Sequence, residues 1–150
     1  MNKFLRFINR FLATGLFIGE IPGAPGTYGS ILAIIFLLFF PILKNLYFIV
    51  PFIFIATAVS YLEELNTGIK DDPKIVIDEI AGVFVTFTFI NLTPILLILG
   101  FILFRIFDIF KPYIIFKVQQ FPYGIGVMAD DILAGIFSWS ILNLMIILFL

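Results

Sequence analysis

Apolar runs alternate along the chain with short charged or Gly/Pro-rich breaks. The runs are Ile31–Leu43, Leu46–Leu62, Ile80–Ile90, Pro94–Phe104 and Ile132–Leu150; the breaks fall at Lys44-Asn45, Glu63–Glu79, Asn91–Thr93 and Arg105–Asp131. Runs that are hydrophobic all round predict buried or lipid-facing helices. Ahead of them, "MNKFLRFINRFLATGLFIGE" puts Phe4, Phe7, Ile8, Phe11 and Leu12 on one helical face and Arg6 and Arg10 on another side. That pattern predicts an interfacial amphipathic helix. Its arginines and the lack of an A-x-A-like cleavage site argue against a signal peptide. No internal repeat, low-complexity tract or linker interrupts the order.

Several runs are short for a bilayer, which takes about 20 helical residues to cross about 30 Å. Residues 80–104 therefore admit two readings, one merged helix with Asn91 and Pro94 at its middle or two helices split at "NLT-P". Basic residues choose between these paths, because cytoplasmic loops collect Lys and Arg. The split path leaves only Lys44 of the nine Lys and Arg on the far side, whereas the merged path moves Arg105, Lys111 and Lys117 there as well. The split path also gathers all ten Asp and Glu on the near side. The expectation is an all-α, multihelical integral membrane bundle of short helices. It would have about five spans plus the N-terminal amphipathic helix, one domain over residues 1–150, and a charged cytoplasmic face.

Composition supports a lipid-facing protein. The chain is 62% hydrophobic and 13% charged, against about a quarter charged in soluble domains. A net charge of −1 argues against a nucleic-acid partner. Cys and His are both absent, which removes disulfides, Cys/His zinc sites, Ser-His-Asp triads and cysteine or phosphohistidine chemistry. A catalyst here has carboxylates, Lys, Arg, hydroxyls and a hard metal ion to work with.

The acids sit at the edges of the apolar runs. An Asp at the centre of a spanning helix costs about 3 kcal/mol, while a Leu or Ile returns about 0.3–0.6. "IDEIAG" and "DDILAG" each place acids at an expected helix start, where dipole complementation alone would account for either pair. Both are followed by Ala-Gly, Ala81-Gly82 and Ala134-Gly135, which permits close helix contact. Asp78 shares a face with Gly82, and Asp130 with Ala134, so such packing would bring acids together. Like charges held so close call for protons or a bridging cation, and Mg²⁺ suits oxygen ligands.

"FRIFDIFKPY" spaces Arg105, Asp108 and Lys111 along one helical side, ending at Pro112. This is either a salt-bridged surface or a holder for metal and phosphate. "EELNTGIKDDP" reads as a loop, with Asp72 near enough to Asp78 to reach the same metal. "IPGAPGTYGS" lacks the Walker A Lys-Ser/Thr, and is either a plain turn or a phosphate cradle using Thr27 and Ser30.

Together "APGTYGS", "DDPKIVIDEIAG", "FRIFDIFKP" and "GVMADDILAG", in this order and spacing, resemble the phosphatidylglycerophosphatase A family over about residues 13–137. The resemblance implies a bacterial inner-membrane phosphatase with a cytoplasm-facing site. It would require Mg²⁺ and convert phosphatidylglycerophosphate to phosphatidylglycerol. By position it implies Asp72, Asp78, Glu79, Asp130 and Asp131 as metal ligands, and Asp78, Asp130 and Asp108 as catalytic acids. Thr27, Arg105 and Lys111 become phosphate contacts, and Asp71 and Glu20 fall outside the pattern. Apolar walls would accept the diacyl tail. The rival reading is a cation carrier or channel, which predicts acids spread through the bilayer's depth. A CDP-alcohol phosphotransferase needs an Asp-Gly pair that the chain lacks, and a structural subunit leaves the one-sided acids without a purpose.

Overall fold

The computed structural model describes residues 2–118, 121 and 124–149, and among these every regular element is helical. Met1 and Leu150, the last residue of the final apolar run, lie outside the described residues. Helix α1 (Lys3–Ala13) starts at Asn2, whose side chain accepts from the Leu5 N–H at 2.8 Å. Its Phe4, Phe7, Ile8 and Leu12 are exposed, while Asn9 and Ala13 are buried. The expected amphipathic helix therefore forms, with its apolar stripe uncovered, as an interfacial helix requires.

The remaining helices are α2 (Pro25–Phe39), α3 (Leu46–Thr67), α4 (Ile77–Thr86), α5 (Pro94–Phe110), α6 (Tyr113–Val118) and α7 (Ile125–Phe149). Their ends follow local chemistry. Pro25 and Pro94 occupy first turns, where the missing N–H costs nothing. Asn45 and Thr93 cap α3 and α5 with their side-chain oxygens. Gly68, at φ 72°, ends α3 in the left-handed region. Lys111 ends α5 just before Pro112, where a following proline disfavours helix.

Helices outrun the apolar runs at two places. α3 continues through Glu63 and Glu64 to Thr67, so the expected loop begins only at Gly68. α7 begins at Ile125, so Asp130 and Asp131 lie in its second turn and do not start it. The physical reason is the same in both: Glu63 finds Asn9 and Asp130 finds Lys111, and a carboxylate with a partner need not break a helix. Between α4 and α5 the chain turns over residues 87–93, so the merged helix does not form.

Two of the described helices, α3 and α7, are long and apolar enough to cross a membrane. The ten residues of α4 span about 15 Å, half of a bilayer core, so length alone does not deliver five crossings. Exposed Phe39, Phe54, Phe110 and Ile147 on α2, α3, α5 and α7 face outward.

Helix α4 is the centre of the bundle, packed on α2, α3, α5 and most extensively α7. Its Val83 and Phe84, with Phe87 and Phe104, are among the most buried side chains. The ends of the bundle differ in charge. At one end Lys44 Nζ donates to the Ile90 carbonyl at 2.5 Å, joining the α2–α3 and α4–α5 turns. The acids that the next section describes lie at the other end. A Cβ on Gly124 would come 3.0 Å from Tyr61 N, so α7 starts beside the C-terminal half of α3.

Candidate metal and phosphate site

The site begins with two glycines. A Cβ on Gly135 would stand 2.5 Å from the Gly82 carbonyl oxygen, and one on Gly82 would stand 2.7 Å from the Asp131 carbonyl oxygen. Only missing side chains let α4 and α7 approach this closely. As a result Asp78, Glu79 and Asp131 bring carboxylate oxygens within 4.8 Å of one another. Asp78 and Asp131 are almost wholly buried, and Glu79 Oε2 is a buried atom with no hydrogen-bond partner among the described residues. Burial pushes the Asp78 carboxyl up to about 6, against the hydrogen bonding of Glu79 that favours its charged form. Glu79 is held well above the ordinary range by burial first and by the Asp78 charge second. Three oxygen donors, one of them unpartnered, fit a hard divalent cation such as Mg²⁺.

The neighbouring acid points elsewhere. Successive residues on a helix differ by about 100° in direction, and Asp130 turns to Lys111, whose Nζ donates to Oδ2 at 2.5 Å. Burial alone would lower the Lys111 ammonium, but the Asp130 hydrogen bond and charge, with help from Asp131 and Asp108, leave it raised. Asp108 bridges to Arg105 at 2.6 Å along α5. Asp72 is buried, accepts from the Lys74 N–H at 3.0 Å and adds its charge to the surroundings of Arg10. It is not among the three converging carboxylates.

Arg105 links this cluster to α2. Its Nη1 also donates to Ser30 Oγ at 3.3 Å, and its buried Nε has no partner among the described residues. A Cβ on Gly26 would collide with Glu79 Oε1 and stand 3.1 Å from Arg105 Nη1, so the α2 N-terminus lies directly against both. The first helical bond of α2 runs from Tyr28 N to Ala24 O at 3.1 Å, and no side chain caps this end. The Gly26 and Thr27 N–H groups precede that bond and carry the helix's partial positive charge. Thr27 lies half-buried in this first turn, at the helix start where the sequence places it.

The sequence offers Gly26 only through the backbone of a phosphate cradle, without the close approach of Glu79 and Arg105, and Ser30 only as a phosphate contact. Ser30 also donates to the Gly26 carbonyl at 2.7 Å, so its hydroxyl joins the α2 turn to Arg105. The i,i+4 spacing of Gly26 and Ser30 was the available signal. Apart from the site, Asn9 Nδ2 donates to Glu63 Oε2 at 2.9 Å and fastens α1 to α3, while Arg10 Nε donates to Glu20 Oε1 at 2.5 Å and ties α1 to the segment that follows it.

Two outcomes follow from this geometry. Gly135→Ala is expected to force α4 and α7 apart, cost about 1–3 kcal/mol of stability and diminish stabilisation by Mg²⁺; thermal midpoints with and without Mg²⁺ check both. Asp78 has a folded-state pKa above its unfolded one, so its protonated form favours folding. The metal-free protein should therefore gain stability as pH falls from about 6 towards 4, and lose that gain on the way back up. Asp78→Asn should flatten this window in denaturation measured across pH.

Carboxylates, an arginine and an open helix N-terminus brought together at one place are the equipment of an enzyme that handles phosphate esters. Similarity to known proteins narrows that class. The chain belongs to the phosphatidylglycerophosphatase A family, which matches residues 11–146, and is accordingly a phosphoric monoester hydrolase. A Bacteroides thetaiotaomicron protein named "Putative phosphatidylinositol-3-phosphatase" is 34% identical over 91% of this chain and 92% of its own length. Phosphatidylglycerophosphatase A of Haemophilus influenzae is 35% identical, covering 85% of this chain and 82% of its own. The Escherichia coli protein of the same name is 35% identical, covering 87% and 79%. No solved structure matches the chain. Family membership does not favour the carrier or channel reading.

Proposed function

We propose that the protein is a Mg²⁺-dependent lipid phosphatase that hydrolyses the terminal phosphate monoester of phosphatidylglycerophosphate to give phosphatidylglycerol. The observation that supports it most is the convergence of Asp78, Glu79 and Asp131 beside Arg105 and the α2 N-terminus. The three carboxylates would hold Mg²⁺, which when bound supplies charge neutralisation at the phosphate and makes water more acidic. Arg105, through its unpartnered Nε, and the Gly26 and Thr27 N–H groups bind phosphate oxygens, and Lys111 adds positive charge from the α5 end. Asp108 and Ser30 hold the guanidinium in place. Asp130, outside the three-carboxylate set, orients the attacking water and takes its proton as the oxygen bonds to phosphorus; as the bond from phosphorus to the lipid oxygen breaks, Asp130 returns that proton and the lipid leaves as its hydroxyl. Asp78 thus acts as a cation ligand and Asp108 through Arg105, while Asp72 stays outside.

On this reading α3 and α7 cross the bacterial cytoplasmic membrane in a multi-pass arrangement, and α1 lies along the inner interface. The charged end faces the cytoplasm because it gathers the Lys and Arg. The test is phosphate release by purified protein from phosphatidylglycerophosphate, phosphatidylinositol 3-phosphate, phosphatidic acid and a soluble ester, each with Mg²⁺ and with a chelator. Preference for the first substrate and silence in chelator are expected. Undiminished release in chelator would remove the metal, and preference for another headgroup would replace the substrate.

A further inference from the structure

We infer that the open apolar cavity between α1, α2, α3 and α4 is the binding site for one acyl chain of the lipid phosphate. The cavity measures about 310 Å³, and Leu12, Phe36, Leu43, Phe48, Ile80 and Phe84 are among its walls. Ile77, Ile80 and Phe84 also line it on successive turns of α4, so it runs about 10 Å along that helix. Its upper end is the turn that carries Asp78 and Glu79; its lower end lies among the phenylalanines near the opposite end of the bundle. A headgroup held at the acids and an extended chain lying along the helices would occupy this layout together.

The mouth supports the same occupant. Leu12, Leu16 and Phe40 line the cavity and are exposed, and Leu12 belongs to the uncovered apolar stripe of α1. The opening is therefore continuous with the surface that faces lipid on the proposed function. Apolar cavities of this kind exclude water and take up hydrocarbon, and an empty one forfeits dispersion contacts along its walls. A soluble phosphate ester would use none of this surface, so the cavity makes the enzyme select for lipids at a point remote from the phosphate.

The inference rests on the phosphatase reading for the headgroup only, and its test separates the two. Leu43→Trp and Phe36→Trp each fill the cavity without touching the acids, Arg105 or the α2 N-terminus. Each is expected to lower kcat/KM for a long-chain lipid phosphate at least tenfold while leaving release from a short-chain analogue within twofold of the parent. A second readout needs no hydrolysis: a lipid phosphate with a photoreactive group midway along one chain, added to protein in detergent, should label the segments around Leu43, Phe48 and Phe84. The cavity-filling variants should lose that labelling. Unchanged long-chain kinetics in both variants, or labelling confined to outward residues such as Ile147 and insensitive to Leu43→Trp, would overturn the acyl site. Loss of all hydrolysis with the labelling intact would instead remove the phosphatase reading and leave the lipid site standing.

Discussion

Asp131→Asn is expected to reduce Mg²⁺-dependent phosphate release by a factor on the order of 10²–10³, a loss typical of removing one group that stabilises transition-state charge, while raising the stability of the metal-free protein. The two effects have one cause. Asp131 is buried within 4.8 Å of Asp78 and Glu79, and a pair of full charges at such separation repels by roughly 3–4 kcal/mol at an effective dielectric constant of about 20. The repulsion is smaller here because burial holds Asp78 and Glu79 above the ordinary carboxylate range and so favours their neutral forms. The amide keeps the shape and removes the charge. Each kcal/mol recovered should raise the thermal midpoint by about 2–4 °C, and added Mg²⁺ should no longer raise it further.

The adjacent Asp130→Asn should do the reverse to stability. Its carboxylate is the partner of Lys111, and removing it strands a cation whose side chain is 26% exposed. The cost should be about 1–2 kcal/mol, below that of a fully buried broken pair. Neighbouring acids with opposite signs of effect are a signature of the two directions they take from α7. Thermal denaturation of both variants without metal checks it, and shifts of the same sign would undo the division of labour between them.

That division shows where the sequence stopped being informative. The Ala-Gly pairs after each acid made the α4–α7 contact legible, because small residues leave room for backbone whatever the rest of the fold does. Pro112 made the end of α5 legible for the same local reason. Which of Asp130 and Asp131 faces α4 depends on the rotation of α7, set by packing along the whole helix, and nothing in "ADDI" encodes it. Helix ends were misjudged wherever charge was taken as the boundary of a run: Glu63 and Asp130 lie inside helices because Asn9 and Lys111, distant in sequence, meet them. Asp72 is close to Asp78 in sequence, but its loop carries its charge towards Arg10. The role of Gly26 was invisible because a glycine in "APGTYGS" reads as a turn. Its actual constraint is the approach of Glu79 and Arg105 from two other helices.

Arg105 carries the second large expectation. Arg105→Lys keeps a positive charge but loses the planar fork, and should lower kcat/KM about 10²-fold, with the change mainly in kcat if the arginine binds charge that grows in the transition state. The guanidinium has a job for each of its edges: Nη1 meets Asp108 at 2.6 Å and Ser30 at 3.3 Å, leaving the buried Nε for a ligand. A lysine ammonium reaches one such partner at a time. On the proposed mechanism Asp108 aims the arginine and touches no substrate, so Asp108→Asn should then cost about tenfold. The decisive measurement is the double variant. A residue that works only through Arg105 has nothing left to aim once lysine stands there, so Asp108→Asn should add less than twofold to the Arg105→Lys loss. Full additivity would place Asp108 in direct contact with the reacting groups and return it to the role of catalytic acid.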